Sequence, residues 1–336
     1  MKTYIGAWSV AATLVVTNVT SAASSGLDSM AIAVGGQSTC TSSDSGPPPP
    51  IGSLIGSLFV IPTPAIGNGI SDCGLNGSIK SLTATTGPVT SVNSVSATVG
   101  GGLYTGTSGA TSNYGTLSLT SHGNNQGKPN LFGFSESGGF STFNDQLTFI
   151  SPTQKNGSSG SVIYTFTVSG ALTTPVSSSA GGPQNLAKLD VHQSNHILNQ
   201  VFTASTYPIF GTILGNNSYP GFTMSEGSVS GSGEFSTLRI PFVWGKAENL
   251  EVGLSAVSYP TTGETLDTHL KAVLTGIAVF DANGHLDNNY KIDAASGSLY
   301  SAGGVLPVPE PEAYALFLAG LLLVGFMTTH RSSFRN

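Results

Sequence analysis

The sequence predicts an all-β protein whose body is an antiparallel β-sandwich of jelly-roll type. Between residues 81 and 301, apolar side chains alternate with polar ones, as at Leu250, Val252 and Leu254. Alternation with a period of two is typical of strands with one buried face. Clusters of Gly and Asn, such as Lys155-Asn156-Gly157, separate these stretches as turns do. Many short strands with turn signals between them favour a sandwich over a helical or mixed fold.

Individual stretches of the body give more specific expectations. Leu238, Ile240, Phe242 and Trp244 alternate with other residues and predict one half-buried strand. Residues 269–280 are apolar on both faces, which predicts a central strand of a sheet. No stretch before residue 313 has the spacing of an amphipathic helix.

Composition excludes several functional classes. Only 8% of the 336 residues are charged, against about 25% in ordinary soluble domains. The formal net charge of -6 gives no attraction to nucleic acid or to anionic lipid. The 44 glycines, together with abundant Ser and Thr, are typical of secreted β proteins rather than of cytosolic enzymes.

The N-terminus predicts an export signal over residues 1–23. Lys2 precedes an apolar run from Ile5 to Val19, and the small residues Ala22 and Ala23 follow. A basic start, an apolar core and small residues before the cut define a secretory signal peptide. The alternative is an uncleaved anchor, although Ser and Thr interrupt the apolar core.

Residues 24–80 are rich in Ser, Gly and Pro and are not expected to form a domain. Four prolines at 47–50 predict a stiff polyproline segment, and the apolar residues 51–61 predict an irregular strand that docks on the body. Export predicts a disulfide between Cys40 and Cys73. In the chain-entropy model, this bond would stabilise the folded state by about 3–4 kcal/mol because it closes a loop in the unfolded chain. Two free thiols are the alternative.

The C-terminus predicts a membrane anchor. A linker over residues 302–312 ends in Pro309, Glu310 and Pro311, and an uncharged stretch over 313–329 follows. That stretch is near the lower length limit for a transmembrane helix. The tail over 330–336 carries Arg331 and Arg335, which favour a cytoplasmic C-terminus. A buried core helix is the alternative.

These C-terminal residues resemble the PEP-CTERM sorting signal of Gram-negative bacteria. Pro309, Glu310 and Pro311 match the tripeptide of that family, and the apolar helix and basic tail follow in the family's order. The resemblance covers about the last 30 residues. It implies processing by exosortase, a membrane-embedded transpeptidase-like protease, and an association with exopolysaccharide export. It also implies an inner-membrane-anchored precursor that later reaches the cell surface or extracellular matrix.

The body carries a weaker resemblance to the β bodies of PEP-CTERM proteins. Residues 143–149 and 164–170 resemble paired strands of those bodies, and residues 274–284 resemble a further strand and turn. This likeness implies shared architecture and no activity.

Two groups of residues have some of the features of a metal site, but no metal or cofactor is expected. Asp190, His192 and His196 would need a helix to share one face, and the segment reads more readily as a polar loop or strand. Asp281, Asn283 and Asp287 resemble a calcium loop, but the Gly and Glu of an EF-hand are misplaced, which favours a hairpin turn.

Catalytic motifs are also missing from the sequence. It contains no Gly-x-Ser-x-Gly elbow and no recognisable carboxylate pair, so we expect a protein that is not an enzyme. Tyr207, Tyr219 and Tyr259 either stack on sugars or pack in the core and in turns.

The sequence therefore predicts an exported surface or extracellular-matrix protein with a structural role beside exopolysaccharide. A polysaccharide-binding β-sandwich is the alternative, and an aromatic row beside a groove would favour it. A secreted hydrolase would need a buried His–carboxylate pair or two close carboxylates in a cleft. Expected partners are an exosortase, exopolysaccharide and, before processing, the membrane through its C-terminal helix, with no nucleic acid.

Overall fold

The computed structural model describes residues 25–37, 75–99, 101–126, 133–174, 184–194, 199–206, 221–225, 227–260 and 264–306. Its strands are β1 (Gly26–Gln37), β2 (Leu75–Ala84), β3 (Val89–Val99), β4 (Gly102–Asn113), β5 (Thr116–Asn125), β6 (Gly133–Ile150), β7 (Ser159–Thr173), β8 (Gln184–Gln193), β9 (Asn199–Ser205), β10 (Phe222–Ser225), β11 (Ser228–Ser236), β12 (Ile240–Val243), β13 (Ala247–Tyr259), β14 (Glu264–Phe280), β15 (Lys291–Ala294), β16 (Leu299–Ser301) and β17 (Gly304–Leu306).

The strands form two large antiparallel sheets. Sheet A has the order β2-β1-β6-β13-β8-β9, with β15 also pairing β6. Sheet B has the order β10-β11-β7-β14-β5-β4-β3, with β12 also pairing β7. The described residues contain no helix, so the all-β, antiparallel prediction is confirmed, and the two sheets give a sandwich-like body. The jelly-roll type stays a prediction.

Strand β14 lies between β7 and β5 in the middle of sheet B, as expected. Only one of its faces is buried and apolar, however, because His269 and Lys271 on the other face are exposed. The strand predicted from Leu238 is shorter than expected. Leu238 is 79% exposed, and β12 begins at Ile240. Ile240, Phe242 and Trp244 are buried as the alternation predicts.

The body begins well upstream of residue 81, contrary to the boundary drawn from the sequence. Strand β1 lies between β2 and β6 in sheet A. Ala31, Ile32, Ala33 and Val34 are all fully buried, so both faces of β1 are covered. A strand buried on both faces shows no polar alternation, and its Ser and Gly residues hide it further. The two cysteines, the prolines at 47–50 and residues 51–61 lie outside the described residues.

The expected pairing of residues 143–149 with residues 164–170 is wrong. The first stretch belongs to β6 in sheet A and the second to β7 in sheet B. Strand β7 pairs instead with β14 and β11. The chain crosses from one sheet to the other between these strands, a step that similar alternation in both strands does not reveal.

One half of the sandwich encloses a conventional aromatic core. The Phe149 and Phe242 rings stack with centroids 4.2 Å apart, and the Phe242 ring meets the Trp244 ring edge-on at 4.9 Å. All three side chains are at most 3% exposed. Buried aromatic area of this kind is a large source of folding free energy.

The other half, where β1 and β6 face β3 and β4, combines buried serines with a small apolar cluster of Ala33, Val95, Ala97, Val99 and Tyr104. Ser91 Oγ donates to the carbonyl oxygen of Ser29 at 2.9 Å, and Ser141 Oγ donates to that of Thr111 at 2.6 Å. Each bond runs from one sheet to the backbone of the other. Since a serine side chain is short, the two sheets approach more closely here than the ~10 Å usual for stacked sheets. We call this region the serine layer.

Buried tyrosines are expected to make the folded body less stable at alkaline pH. Burial, first of all, raises the pKa of Tyr104, Tyr164 and Tyr300 above the usual value of about 10. A group whose pKa is raised in the folded state stabilises that state, and this stabilisation is fully present below the pKa that the group has in the unfolded chain. That stability is lost as the pH rises towards the folded pKa, by up to about 1.4 kcal/mol per pH unit for each group.

We therefore expect the urea midpoint to be level near about pH 8 and to fall steeply above about pH 10. Tyr164→Phe should make the alkaline fall shallower, because it removes one titrating group. The explanation would be wrong if the midpoint stayed level above that pH.

Candidate functional site

The outer face of sheet B is a broad surface of exposed and half-exposed hydroxyl groups. Its strands bury every second side chain against sheet A and turn the alternate ones outward. We call the outward Ser and Thr residues of β3, β4, β5, β7 and β11 the hydroxyl face. They are Thr90, Ser94, Ser96, Thr98, Thr105, Thr107, Thr111, Thr116, Ser118, Thr120, Thr165, Thr167, Ser169, Thr173, Ser228, Ser230, Ser232 and Ser236.

Strand register aligns these hydroxyls in rows across the sheet. In one row Thr90 lies opposite Thr111, and Thr111 lies opposite Ser118. Neighbouring hydroxyls hydrogen-bond across strands, with Thr90 Oγ1 and Thr111 Oγ1 3.0 Å apart and Thr165 Oγ1 and Ser236 Oγ 2.9 Å apart. The sheet geometry spaces rows at about 6.6–6.8 Å along a strand and at about 4.8 Å between strands. Each hydroxyl can both donate and accept.

Ionisable groups interrupt the hydroxyl face at its centre. His122 Nδ1 lies 2.7 Å from Asp267 Oδ1, and the two side chains are 44% and 56% exposed. Neither is buried in a cleft, so this pair does not meet the condition set for a hydrolase. His269, Lys271 and Glu234 are the other ionisable side chains seen to turn outward on the described part of this face.

Two of the residues considered as a metal site, Asp190 and His192 on β8, have other partners. Asp190 Oδ2 accepts from Lys188 Nζ at 3.0 Å. Burial raises the pKa of Asp190, and Lys188 opposes that shift. His192 Nδ1 is 3.9 Å from Glu251 Oε2. The segment is a strand, in agreement with the expected polar loop or strand. His196 lies outside the described residues.

Asp281 and Asp287 belong to a turn after β14, as the turn interpretation predicted. The turn is closed by a single bridge between Phe280 and Leu286, and the next strand, β15, pairs with β6 of the other sheet rather than with β14. Asp281 Oδ1 accepts from the backbone N–H groups of Asn283 and His285, each at 2.8 Å. The bond from His285 lowers the pKa of Asp281 most. Asp287 Oδ2 accepts from Ser151 Oγ at 2.8 Å. These carboxylates stabilise the turn. Across the described ranges, no three His, Cys, Asp or Glu side chains are grouped to hold a metal ion.

Aromatic side chains do not form a row on the described surface. The large apolar side chains exposed there are aliphatic: Leu82, Val92, Leu103, Ile150, Leu238, Leu286, Leu299 and Leu306. Tyr259 is partly buried, and Tyr207 and Tyr219 lie outside the described residues. The row of aromatic side chains that would favour sugar stacking is therefore missing from the described surface.

Sequence reasoning missed the hydroxyl face, although a signal for it exists. Ser94, Ser96 and Thr98 on β3, and Thr165, Thr167 and Ser169 on β7, stand at alternate positions. Each strand alone reads only as polar on its outer side. The register between strands turns separate polar sides into one surface.

No protein-family model matches this chain, and no curated protein matches it in sequence. The predicted sorting motif at Pro309, Glu310 and Pro311, the arginines at 331 and 335 and the signal segment all lie outside the described residues. Within the described ranges, no helix is long and apolar enough to cross a membrane.

Proposed function

We propose that this chain is an exported, non-enzymatic surface or extracellular-matrix protein whose hydroxyl face contacts exopolysaccharide. The hydroxyl face is the observation that carries the proposal. It spans strands from one edge of sheet B towards the other and is dominated by uncharged donors and acceptors. A neutral polysaccharide offers the same groups, so the two surfaces match through many weak hydrogen bonds.

Such contacts act together rather than singly. A net hydrogen bond contributes about 0.5–1.5 kcal/mol, and contacts repeated along a polymer add through effective concentration. A broad face without a cleft suits an extended chain better than a small ligand, which is normally enclosed in a concave pocket. These properties favour a matrix component over an enzyme.

The C-terminal residues supply the rest of the proposal. Their likeness to the PEP-CTERM signal supports an inner-membrane-anchored precursor, processing by an exosortase at Pro309, Glu310 and Pro311, and delivery to the surface or matrix. Two prolines keep this segment extended and outside the helix.

The proposed disulfide also gains support from the strand pairing. Gly36 of β1 lies opposite Leu75 of β2 in the antiparallel ladder. Cys40 and Cys73 follow and precede these positions by only a few residues, within a reach of about 3.5 Å per residue. The ladder thus holds the last residues of β1 close to the first residues of β2, and a disulfide between Cys40 and Cys73 requires such proximity.

The hydroxyl face is tested by co-sedimentation of the mature protein with exopolysaccharide from its host. Changing Thr107, Thr120 and Thr173 to Ala removes three exposed hydroxyls from three strands. We expect affinity to fall about tenfold or more, since each lost hydrogen bond is worth about 1 kcal/mol.

The matched control changes Ser81, Thr83 and Thr86 to Ala, which are exposed on or just after β2 rather than on the hydroxyl face. This control should bind like the parent. Equal binding by both triple variants and the parent would contradict the proposed contact surface.

A further inference from the structure

We propose that the open edge of β3 pairs, antiparallel, with β3 of a second copy of this chain. Strand β3 ends the order of sheet B and pairs with β4 on one side. No described strand pairs with its other side. An unpaired strand edge presents a row of backbone N–H and C=O groups that readily adds another strand.

The four sheet edges differ in how well they are protected against such pairing. Sheet A ends at β2, which carries Lys80, and at β9, whose pairing with β8 is broken by a register shift. At its other end, sheet B finishes in β10, which has only four residues. Lysine, irregularity and shortness are the usual devices that prevent edge-to-edge association.

Strand β3 has none of these devices. It runs for 11 residues, Val89–Val99, without a charged residue or a proline, and it pairs with β4 without a register shift. Its buried and exposed residues alternate along its whole length. A long, regular, uncharged edge is the kind that accepts a partner strand.

Side-chain exposure agrees with an open edge. Val92 is 61% exposed, and all the outward side chains of β3 are exposed. On β4, the next strand inward, Thr107 is exposed, whereas Thr105 and Thr111 are only partly exposed. The outward row of β3 thus has neighbours on one side only among the described strands.

A two-fold axis at Ser94 makes the strand complementary to itself. It places Val92 opposite Ser96 and Thr90 opposite Thr98 on the outer face. The paired positions lie on the same face of the strand, so inward side chains meet inward ones and outward side chains meet outward ones. No like charges meet, and the hydroxyl faces of two copies become continuous. A closed two-fold pair is the commonest form of homo-oligomer.

The test is sedimentation velocity of the mature protein purified from its host, over a concentration series. Ser94→Lys places two ammonium groups opposite each other at the two-fold axis, and like charges directly opposite are destabilising. We expect the parent to sediment as a dimer and both Ser94→Lys and Ser94→Glu to sediment as monomers. Mixing the two variants should restore a dimer, since opposite charges then face each other.

Thr107→Lys is the matched control, because Thr107 lies directly opposite Ser94 on β4 and faces the same side. It should remain dimeric. A monomeric parent, dissociation by Thr107→Lys as well, or a mixture that stays monomeric would each overturn the proposal. Circular dichroism of every variant confirms that the strands are intact. The pairing is independent of polysaccharide binding, so either proposal can fail alone.

Discussion

Changing Pro309, Glu310 and Pro311 to Ala is expected to stop release of the protein while leaving membrane insertion intact. In the proposed sorting signal, the prolines would prevent a helix over residues 313–329 from extending upstream, and the segment would stay extended and accessible to a protease at the outer face of the membrane. Alanine is the strongest helix former, and the variant helix would run through the processing region. In a host with the exosortase, an epitope tag in the body should then remain in the membrane fraction.

Leu322→Asp provides the contrasting control within residues 313–329. It leaves the motif unchanged and weakens insertion by roughly 3 kcal/mol on translocon scales. This variant should lose membrane association instead of accumulating there. If the triple-alanine protein is released as efficiently as the parent, the tail is a plain anchor and the sorting proposal fails.

Ser141→Leu is expected to destabilise the body more than any single hydroxyl change on its surface. Ser141 Oγ lies 2.6 Å from the carbonyl oxygen of Thr111 and 2.8 Å from Ser112 Oγ, in the serine layer between the sheets. Leucine adds volume where the sheets are closest and removes two hydrogen bonds. Overpacking and a buried unpaired polar group together cost about 3–5 kcal/mol. The free energy of unfolding in urea measures this loss.

Two comparisons isolate the cause. Ser141→Ala removes the hydrogen bonds without adding volume and should cost about 1 kcal/mol. Ser118→Leu puts the same side chain on the hydroxyl face, where the change should be within about 0.5 kcal/mol. A cost for Ser141→Leu no greater than that for Ser118→Leu would contradict the close approach of the sheets.

Strands with one buried face could be predicted from the sequence because period two directly reports such a face. The alternation through Ile240 and Phe242 is reproduced in β12. In β13 it ends at Val252, because all residues from Val252 to Ser258 are buried, so this strand is not half-buried as the sequence predicted. Strand β1 was missed for the complementary reason. It is buried on both faces, so it shows no polar alternation, and its Ser and Gly residues are more often found in loops.

The serine layer and the hydroxyl face show what local pattern leaves out. Ser29 and Ser91 are 62 positions apart, yet their hydroxyls lie 2.8 Å apart between the sheets. Nothing in either strand alone distinguishes a serine turned inward from one turned outward. The pairing of strands and the stacking of sheets decide that, and both depend on contacts far apart in the chain.

The measurement that tests the central claim most directly is the intact mass of the protein recovered from the extracellular material of a host with the exosortase. The proposed export and processing predict a chain that lacks residues 1–23 and the apolar helix after Pro311. They also predict a mass two protons lower before reduction than after it, from the Cys40–Cys73 bond. A chain that still begins at Met1 and ends at Asn336 would contradict the account.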